Sequence, residues 1–155
     1  MRAASLIGLI SDTHGLLRPE ALRAIEGCEL IIHAGDVGKP EILDELRKIA
    51  PVIGVRGNID KGDWASRLPM TAAIEAETCR VLVLHDVHEL DLDPADAGFG
   101  IVVSGHSHKA SREDRAGVIY INPGSAGPRR FRLPVTVARL DLRQSPWDLK
   151  FIELP

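Results

Sequence analysis

Short apolar runs alternate with amphipathic stretches through the first third of the chain. The runs at 6–10, 30–32 and 52–55 are rich in β-branched residues and too short for buried helices, so they predict strands of a sheet that is covered on both faces. Two stretches between these runs repeat apolar residues at helical spacing, and proline followed by an acid opens each of them, at Pro19 and at Pro40. Because strands that alternate with helices are typical of parallel sheets, the pattern predicts an α/β fold.

The rest of the chain is dominated by further strand patterns. Apolar or alternating runs predict strands at 71–77, 80–84, 101–103, 117–121, 135–142 and 147–154. The last two are separated by the turn 143–146, which predicts an antiparallel hairpin. A surface loop is expected at 61–70, and 92–95 predicts a short capped helix. No repeat or linker interrupts the pattern, so we expect one domain over residues 1–155.

Composition excludes several classes of protein. A hydrophobic fraction of 45% and a charged fraction of 26% are ordinary for a folded globular chain and do not indicate disorder. The net charge of −3 gives no broad attraction for a nucleic-acid backbone or anionic lipid, so a long nucleic acid is not an expected partner. The apolar stretch after residues 1–5 is shorter than that of a signal peptide and ends in Ser-Asp-Thr-His, so we expect no secretory leader. No run is apolar enough to span a bilayer. We therefore expect a cytoplasmic protein without membrane contact.

The two cysteines do not indicate a disulfide or a thiolate metal site. Cys28 and Cys79 stand far apart in the sequence and form no Cys-x-x-Cys motif. We interpret both as small core residues.

Polar residues with metal-binding side chains follow five of the predicted strands. They are Asp12 and His14 after the first run, Asp36 after the second, Asn58 after the third, His85 after 80–84, and His106 with His108 after 101–103. Ligands of open α/β sheets bind outside the carboxyl ends of the strands, so these side chains are expected to meet. One Asp-x-His pair arises by chance roughly 0.5 times in such a chain, but five motifs at strand ends do not.

Imidazole nitrogens mixed with carboxylate and amide oxygens suit borderline and harder divalent metals. Seven ligands are too many for one tetrahedral site, and they suffice for two metals if one carboxylate bridges them. The sequence therefore predicts a dinuclear centre. We expect two divalent ions, with Mn²⁺ preferred and Ni²⁺, Fe²⁺, Zn²⁺ or Co²⁺ as alternatives.

In order and placement these motifs resemble the pattern of the calcineurin-like metallophosphoesterases. The matching segments are Asp12-Thr13-His14, Gly35-Asp36, Gly57-Asn58, His85 and Gly105-His106-Ser107-His108. The short length, Arg56-Gly57-Asn58-Ile59-Asp60 and Asn122-Pro123-Gly124-Ser125 are similar to the small bacterial and archaeal phosphodiesterase branch, which the retromer subunit Vps29 also resembles. The resemblance implies a two-sheet β sandwich flanked by helices, with four αββα layers.

The resemblance also implies roles for the seven residues. One metal would be held by Asp12, His14, Asp36 and His108, and the other by Asp36, Asn58, His85 and His106. Asp36 would bridge the two metals, and a hydroxide shared by them would attack the phosphorus of a small phosphate ester. On this basis Asp36, Asn58 and His85 are the predicted catalytic residues. Family members are often dimers or larger, so a homo-oligomer is compatible with the resemblance.

Two positions depart from the family pattern. Many members have a histidine after the metal-binding asparagine that protonates the leaving oxygen, whereas this chain has Ile59. We therefore expect slow turnover or a preference for leaving groups that depart unprotonated. Asp60 would help only with a raised pKa. Asp86 stands where glycine is common after His85, and it is expected to crowd the site, to weaken substrate binding or to orient a ligand.

Several further residues are weaker candidates. His33 is interpreted as a packing or supporting residue, and His88 as an exposed one. Arg56 is expected to contact a phosphate or to form an ion pair within the fold. For Gly124 and Ser125 the alternatives are backbone donors near the substrate or a simple turn. Arg129, Arg130 and Arg132 form a basic cluster that borders the substrate, borders a subunit contact or is merely solvated.

The motifs favour a divalent-metal-dependent phosphoesterase that hydrolyses small phosphodiesters. One alternative is a non-catalytic scaffold of the Vps29 kind, which binds partner proteins. Another is a phosphomonoesterase or nucleotide pyrophosphatase that uses the same site. The complete ligand set favours the enzyme, and Ile59 favours the scaffold.

Overall fold

The computed structural model describes residues 3–155. The prediction made for the start of the chain, residues 1–5, therefore lies partly outside the described residues. Its first sheet has five strands in the order β10-β9-β1-β2-β3. The bounds of these strands are Leu6–Ile10 for β1, Leu30–His33 for β2, Val52–Gly54 for β3, Val135–Asp141 for β9 and Asp148–Leu154 for β10. β1, β2 and β3 are parallel, and β9 and β10 form the predicted antiparallel hairpin. The predicted strands of this sheet are confirmed.

The second sheet also has five strands, in the order β4-β5-β6-β8-β7. Their bounds are Thr71–Glu75 for β4, Arg80–Leu84 for β5, Ile101–Val103 for β6, Ser111–Arg115 for β7 and Val118–Asn122 for β8. β5, β6 and β8 are parallel, and an antiparallel strand lies at each edge. β7 was not predicted because all five of its side chains are exposed and polar or charged, which leaves no apolar signal.

Helices begin where the prolines predicted them, and two other predictions were wrong. α1 (Pro19–Ala24) and α2 (Pro40–Arg47) each have proline in the first turn. A one-turn helix, α3 (Asp63–Ser66), lies inside the segment predicted as a loop. The helix predicted at 92–95 is a set of turns, because its single helical hydrogen bond, from the Ala97 nitrogen to the Asp93 carbonyl, is not continued.

Three apolar clusters fix the layers of the fold. The largest lies between the two sheets and includes Leu9 and Val83. A second lies between the first sheet and the helices and includes Ile31 and Leu46. The third covers the outer face of the second sheet around Phe99, beneath the segment that connects β5 to β6. This two-sheet sandwich confirms the predicted fold class.

Both cysteines have the predicted core environment. Cys28 is buried in the cluster beneath the helices, and Cys79 packs against the cluster between the sheets. Both are free thiols, and burial raises their pKa values. In residues 3–155 no helix is long and apolar enough to cross a membrane.

The loops that leave β1, β2, β5 and β6 meet at one end of the sandwich. The Asp12 nitrogen donates to the Gly35 carbonyl, which joins the first two loops. The Gly105 nitrogen donates to the His85 carbonyl, which joins the other two. A hydrogen bond of 3.1 Å from the His106 nitrogen to Oδ2 of Asp12 then connects the two sheets.

Candidate metal centre

The structure brings all seven predicted ligand residues to this end of the sandwich. Asp12, Asp36, His85 and His108 are buried, His14 is half-buried, and Asn58 and His106 are exposed. The first sheet contributes the carboxylates, the amide and His14, and the second sheet contributes the other three histidines. The site therefore lies across the junction of the two sheets.

The four histidines form two pairs. The rings of His14 and His108 have centroids 5.3 Å apart, and so do the rings of His85 and His106. Donor atoms of Asp12, His14 and His108 lie within 4.8 Å of one another, as do those of Asp12, Asp36 and His85. The histidines are thus paired as the resemblance implied, whereas the second donor group contains Asp12 and lacks Asn58 and His106.

The two carboxylates lie between the histidine pairs. Oδ2 of Asp36 is 3.4 Å from Nε2 of His14 and 3.3 Å from Nε2 of His85, so it faces one histidine of each pair. Oδ1 of Asp12 is 3.3 Å from Nε2 of His108, 3.8 Å from Nε2 of His14 and 3.9 Å from Nε2 of His85. Asp36 and Asp12 therefore each face histidines of both pairs.

Several donor atoms of the site lack the hydrogen bonds that buried polar atoms require. Oδ1 of Asp12 and Nε2 of His14 are buried and have no hydrogen-bond partner, whereas the exposed Asn58 amide, with its nitrogen facing Asp36, donates to both carboxylate oxygens at 3.2 Å. Buried atoms of this kind are costly unless something satisfies them. Cations held between these atoms would do so, and the donor set therefore fits divalent metals.

The charge states of the carboxylates suit a cation. Burial would raise the pKa of Asp12, but the nearby imidazoles of His108 and His14 and a hydrogen bond from Ser11 outweigh it and hold the pKa below its usual range. Burial would also raise the pKa of Asp36, and contacts with His85 and the Ile59 nitrogen lower it instead. Both carboxylates are therefore ionised at neutral pH.

His85 is oriented for ligation by a backbone carbonyl. Its Nδ1 lies 2.7 Å from the Ala34 oxygen and donates to it, which leaves Nε2 directed at the carboxylates. Burial disfavours the imidazolium, but Asp36 and the Ala34 carbonyl favour it more and raise the pKa of His85 to about 9.

Left-handed backbone conformations are concentrated at the predicted ligands. Positive φ angles are found at Asp12 (55°), His14 (47°), Asp36 (56°), His106 (72°) and His108 (64°). Outside glycine, only Ala116 and Phe131 share this conformation within residues 3–155. Such residues cost about 1 to 3 kcal/mol each and persist where the surrounding structure enforces them, which is characteristic of functional sites.

Two glycines allow the loops to approach the carboxylates. A Cβ at Gly57 would collide with the backbone nitrogen and a carboxylate oxygen of Asp36. A Cβ at Gly105 would collide with Oγ of Ser11 and approach the Asp12 carboxylate. The glycines before the asparagine and before the His-x-His motif are thus required by close packing.

Residues next to the predicted ligands hold the site loops in place through hydrogen bonds to the backbone. Asp60 is buried and accepts hydrogen bonds from the backbone nitrogens of Val37, Gly38 and Gly57 at 2.9 to 3.2 Å. Both of its oxygens are therefore engaged in joining the second and third loops. The Asn122 amide donates to the Gly105 carbonyl at 2.9 Å and so holds the His-x-His loop.

The supporting roles of Ser11 and Asn122 were not predicted. Oγ of Ser11 donates to Oδ2 of Asp12 at 2.6 Å. The only sequence signal for either residue is a small polar side chain at the end of an apolar strand. His33 was interpreted correctly, since it is fully buried, accepts from the Gly35 nitrogen at Nδ1 and donates to Oγ1 of Thr13 at Nε2. Burial lowers its pKa to about 4, so it is neutral.

A cavity of about 270 Å³ opens beside the predicted ligands. Its walls include Arg56, Asn58, His85, Asp86 and His106. Arg56 was expected either to contact a phosphate or to form an ion pair within the fold. In the described part of the chain it forms no ion pair.

Asp86 lies between an exposed neighbour, His88, and the predicted ligand His106. Its Oδ1 accepts from the His88 nitrogen at 3.0 Å, and its Oδ2 lies 3.8 Å from Nε2 of His106. The three roles expected for Asp86 stay predictions. His88 is largely exposed, as predicted.

Comparison with known proteins identifies the family. Residues 6–145 match the model of the calcineurin-like phosphoesterase superfamily domain. A probable metallophosphoesterase of Methanothermobacter thermautotrophicus is 37% identical, over 88% of this chain and 86% of that protein. The chain therefore belongs to the calcineurin-like phosphoesterases, a metal-dependent hydrolase family.

Solved structures support the same fold. An archaeal phosphodiesterase has a TM-score of 0.81 at 25% identity and covers 96% of this chain and 99% of its own. Vps29 of Chaetomium thermophilum has a TM-score of 0.76 at 15% identity, with coverages of 96% and 95%. The fold is thus shared by an enzyme and by Vps29.

Proposed function

We propose that this protein is a divalent-metal-dependent phosphoesterase that hydrolyses small phosphodiesters. The observation that carries the proposal is the convergence of five donor residues, Asp12, His14, Asp36, His85 and His108, in two overlapping groups, with Oδ1 of Asp12 buried and unsatisfied. The similar archaeal structure described as a phosphodiesterase supports the substrate class.

The two histidine pairs suggest how two metals would be held. Asp12, His14 and His108 would hold one ion, Asn58, His85 and His106 would hold the other, and Asp36 would contact both. When bound, two divalent ions supply an acidified water and neutralise charge on the phosphate oxygens.

The chain's own residues then position the substrate. Arg56 has a guanidinium without an ion-pair partner in residues 3–155, and it lines the cavity next to Asn58. We assign it to a phosphate oxygen, since guanidinium groups bind phosphate through paired hydrogen bonds.

Protonation of the leaving group is the step that the site lacks. Ile59 has no proton to give, and the Asp60 carboxylate is engaged by three backbone nitrogens. We therefore expect good leaving groups, which depart as anions, to be preferred.

The first test is replacement of Asp36. Asp36→Ala should abolish Mn²⁺-dependent hydrolysis of bis(p-nitrophenyl) phosphate and reduce the metal content from near two ions per chain, because Asp36 faces both histidine pairs. Asp44→Ala removes an exposed acid of α2 and should change neither quantity. Unchanged hydrolysis by purified Asp36→Ala would refute the assignment.

Two other functions share this fold or this site. Ile59, at the position of the proton donor in many family members, favours a scaffold of the Vps29 kind, and metal-loaded protein without turnover would support it. A phosphomonoesterase or pyrophosphatase would be recognised by a higher kcat/KM for monoesters or nucleotide anhydrides than for diesters.

A further inference from the structure

Residues 128–134, which we call the arginine loop, carry an exposed aromatic ring among three arginines. Phe131 is 93% exposed and has a φ of 53°. Arg129, Arg130 and Arg132 surround it in sequence and are also exposed. A fully exposed phenylalanine in a left-handed conformation gains little from burial and bears backbone strain, so folding alone does not explain it.

The base of the arginine loop is attached to the loop that carries Asp12 and His14. The peptide of Gly127 packs so closely on the carbonyls of Asp12 and Thr13 that a Cβ would collide with them. Arg18 donates to the Gly127 carbonyl at 3.2 Å, and Oγ of Ser125 donates to the Asp12 carbonyl at 3.1 Å. The arginine loop therefore begins at the edge of the candidate metal centre.

The charge of the arginine loop is not compensated within the protein. None of its three arginines has an ion-pair partner in the described part of the chain. The chain as a whole has a net charge of −3, so this cluster is a local exception. Unpaired guanidinium groups bind phosphate, and an exposed aromatic ring offers a face on which a base stacks.

We propose that the arginine loop binds the nucleotide part of a short phosphodiester substrate. Phe131 would stack on a base, and the arginines would bind a phosphate other than the one being cleaved. The inference rests on the proposed function for the scissile phosphate. The cluster has only three arginines and one aromatic ring, and the net negative charge of the chain gives no extended basic surface for a long strand.

The test compares two substrates of the same holoenzyme: a 5′-phosphorylated dinucleotide and bis(p-nitrophenyl) phosphate. Replacing Arg129, Arg130 and Arg132 by alanine should lower the ratio of kcat/KM for the dinucleotide to that for the nitrophenyl diester at least tenfold. Phe131→Ala should lower the same ratio about fivefold, and Phe131→Trp should preserve it, because stacking survives. A matched control replaces Arg23, Arg47 and Arg112, which are exposed and paired with neighbouring acids, and should leave the ratio unchanged.

Binding of adenosine 5′-diphosphate to metal-free protein, measured by calorimetry, tests the arginine loop without turnover. The triple arginine variant should weaken this affinity at least tenfold, and the control triple should not. An unchanged ratio and affinity, equal losses for both substrates, or a change of oligomeric state in the variant would overturn the inference. If the wild type cleaves neither substrate but still binds the nucleotide through the loop, the proposed function fails and the loop assignment stands.

Discussion

Ile59 is the residue at which the candidate site departs most from its family's pattern. Its side chain is partly exposed, and its backbone nitrogen donates to Oδ1 of Asp36 at 3.1 Å, so the position lies directly beside a predicted metal ligand. Ile59→His should raise kcat for diesters with poor leaving groups by about 10- to 100-fold, because an imidazole there supplies the missing proton. Turnover of the p-nitrophenyl diester should change little.

The measurement for Ile59→His is the dependence of rate on leaving-group pKa. A plot of the logarithm of kcat against the leaving-group pKa should have a steep slope in the wild type and a shallower slope in the variant. Ile59→Leu serves as the control and should keep the steep slope. Equal slopes in all three proteins would show that proton donation does not limit this site.

His33 should make the metal-free protein sensitive to acid. Its folded-state pKa is about 4, below the ordinary 6.5, because burial disfavours the imidazolium. The unfolded chain takes up this proton as the pH falls through 6.5, whereas the folded protein takes it up only near 4. The stabilisation is therefore complete above pH 6.5 and is lost between 6.5 and 4, by roughly 3 kcal/mol.

Urea unfolding in the presence of a chelator measures this effect. The wild type should lose more free energy of unfolding between pH 6.5 and 4 than His33→Gln does. Parallel losses in the two proteins would contradict the assignment of acid sensitivity to His33.

Among the structural elements, the loop after β6 depends on close packing that a single methyl group would disturb. Gly105→Ala places a Cβ against Ser11 and Asp12 and should move the His106 and His108 loop outward. The expected result is at least tenfold weaker metal binding with the fold retained, measured by calorimetry and circular dichroism. Gly54→Ala is the control, because its Cβ would make only ordinary contacts at 3.6 to 4.0 Å. Equal metal affinity in both variants would contradict this account.

The sequence predicts an element well when the element's own residues determine its structure, and poorly when contacts with distant residues do. β1 and β5 were predicted because each is a continuous apolar run, and the ligands at their ends were predicted from position alone. β7 has no apolar side chain and forms through pairing with β8, which is not visible locally. The left-handed backbone at His106 and the burial of Oδ1 of Asp12 arise from contacts between loops distant in sequence, so no pattern near either residue predicts them.

For the whole molecule, metal binding should act as a connection between the two sheets. Asp36 belongs to the first sheet and His85 to the second, and their side chains lie 3.3 Å apart. At a free metal concentration 100 times the dissociation constant, the folded state gains about 2.7 kcal/mol, which corresponds to a rise in Tm of about 5 to 10 °C.

Calorimetric melting with Mn²⁺ and with a chelator measures this rise in Tm. The rise in Tm should disappear in Asp36→Ala and persist in Asp44→Ala. An identical Tm with and without metal in the wild type would argue against a site that joins the sheets.

The left-handed backbone of the predicted ligands has a consequence for how such a protein changes over evolutionary time. Every histidine or aspartate held at positive φ is maintained against the intrinsic preference of its own backbone, and glycine would relieve that cost. As long as hydrolysis is selected, the strain is retained. Once selection for catalysis is relaxed, glycine in place of an exposed predicted ligand such as His106 would make the folded chain more stable. Loss of the predicted site would then be accompanied by a gain in folding free energy, which favours descendants that only bind partners.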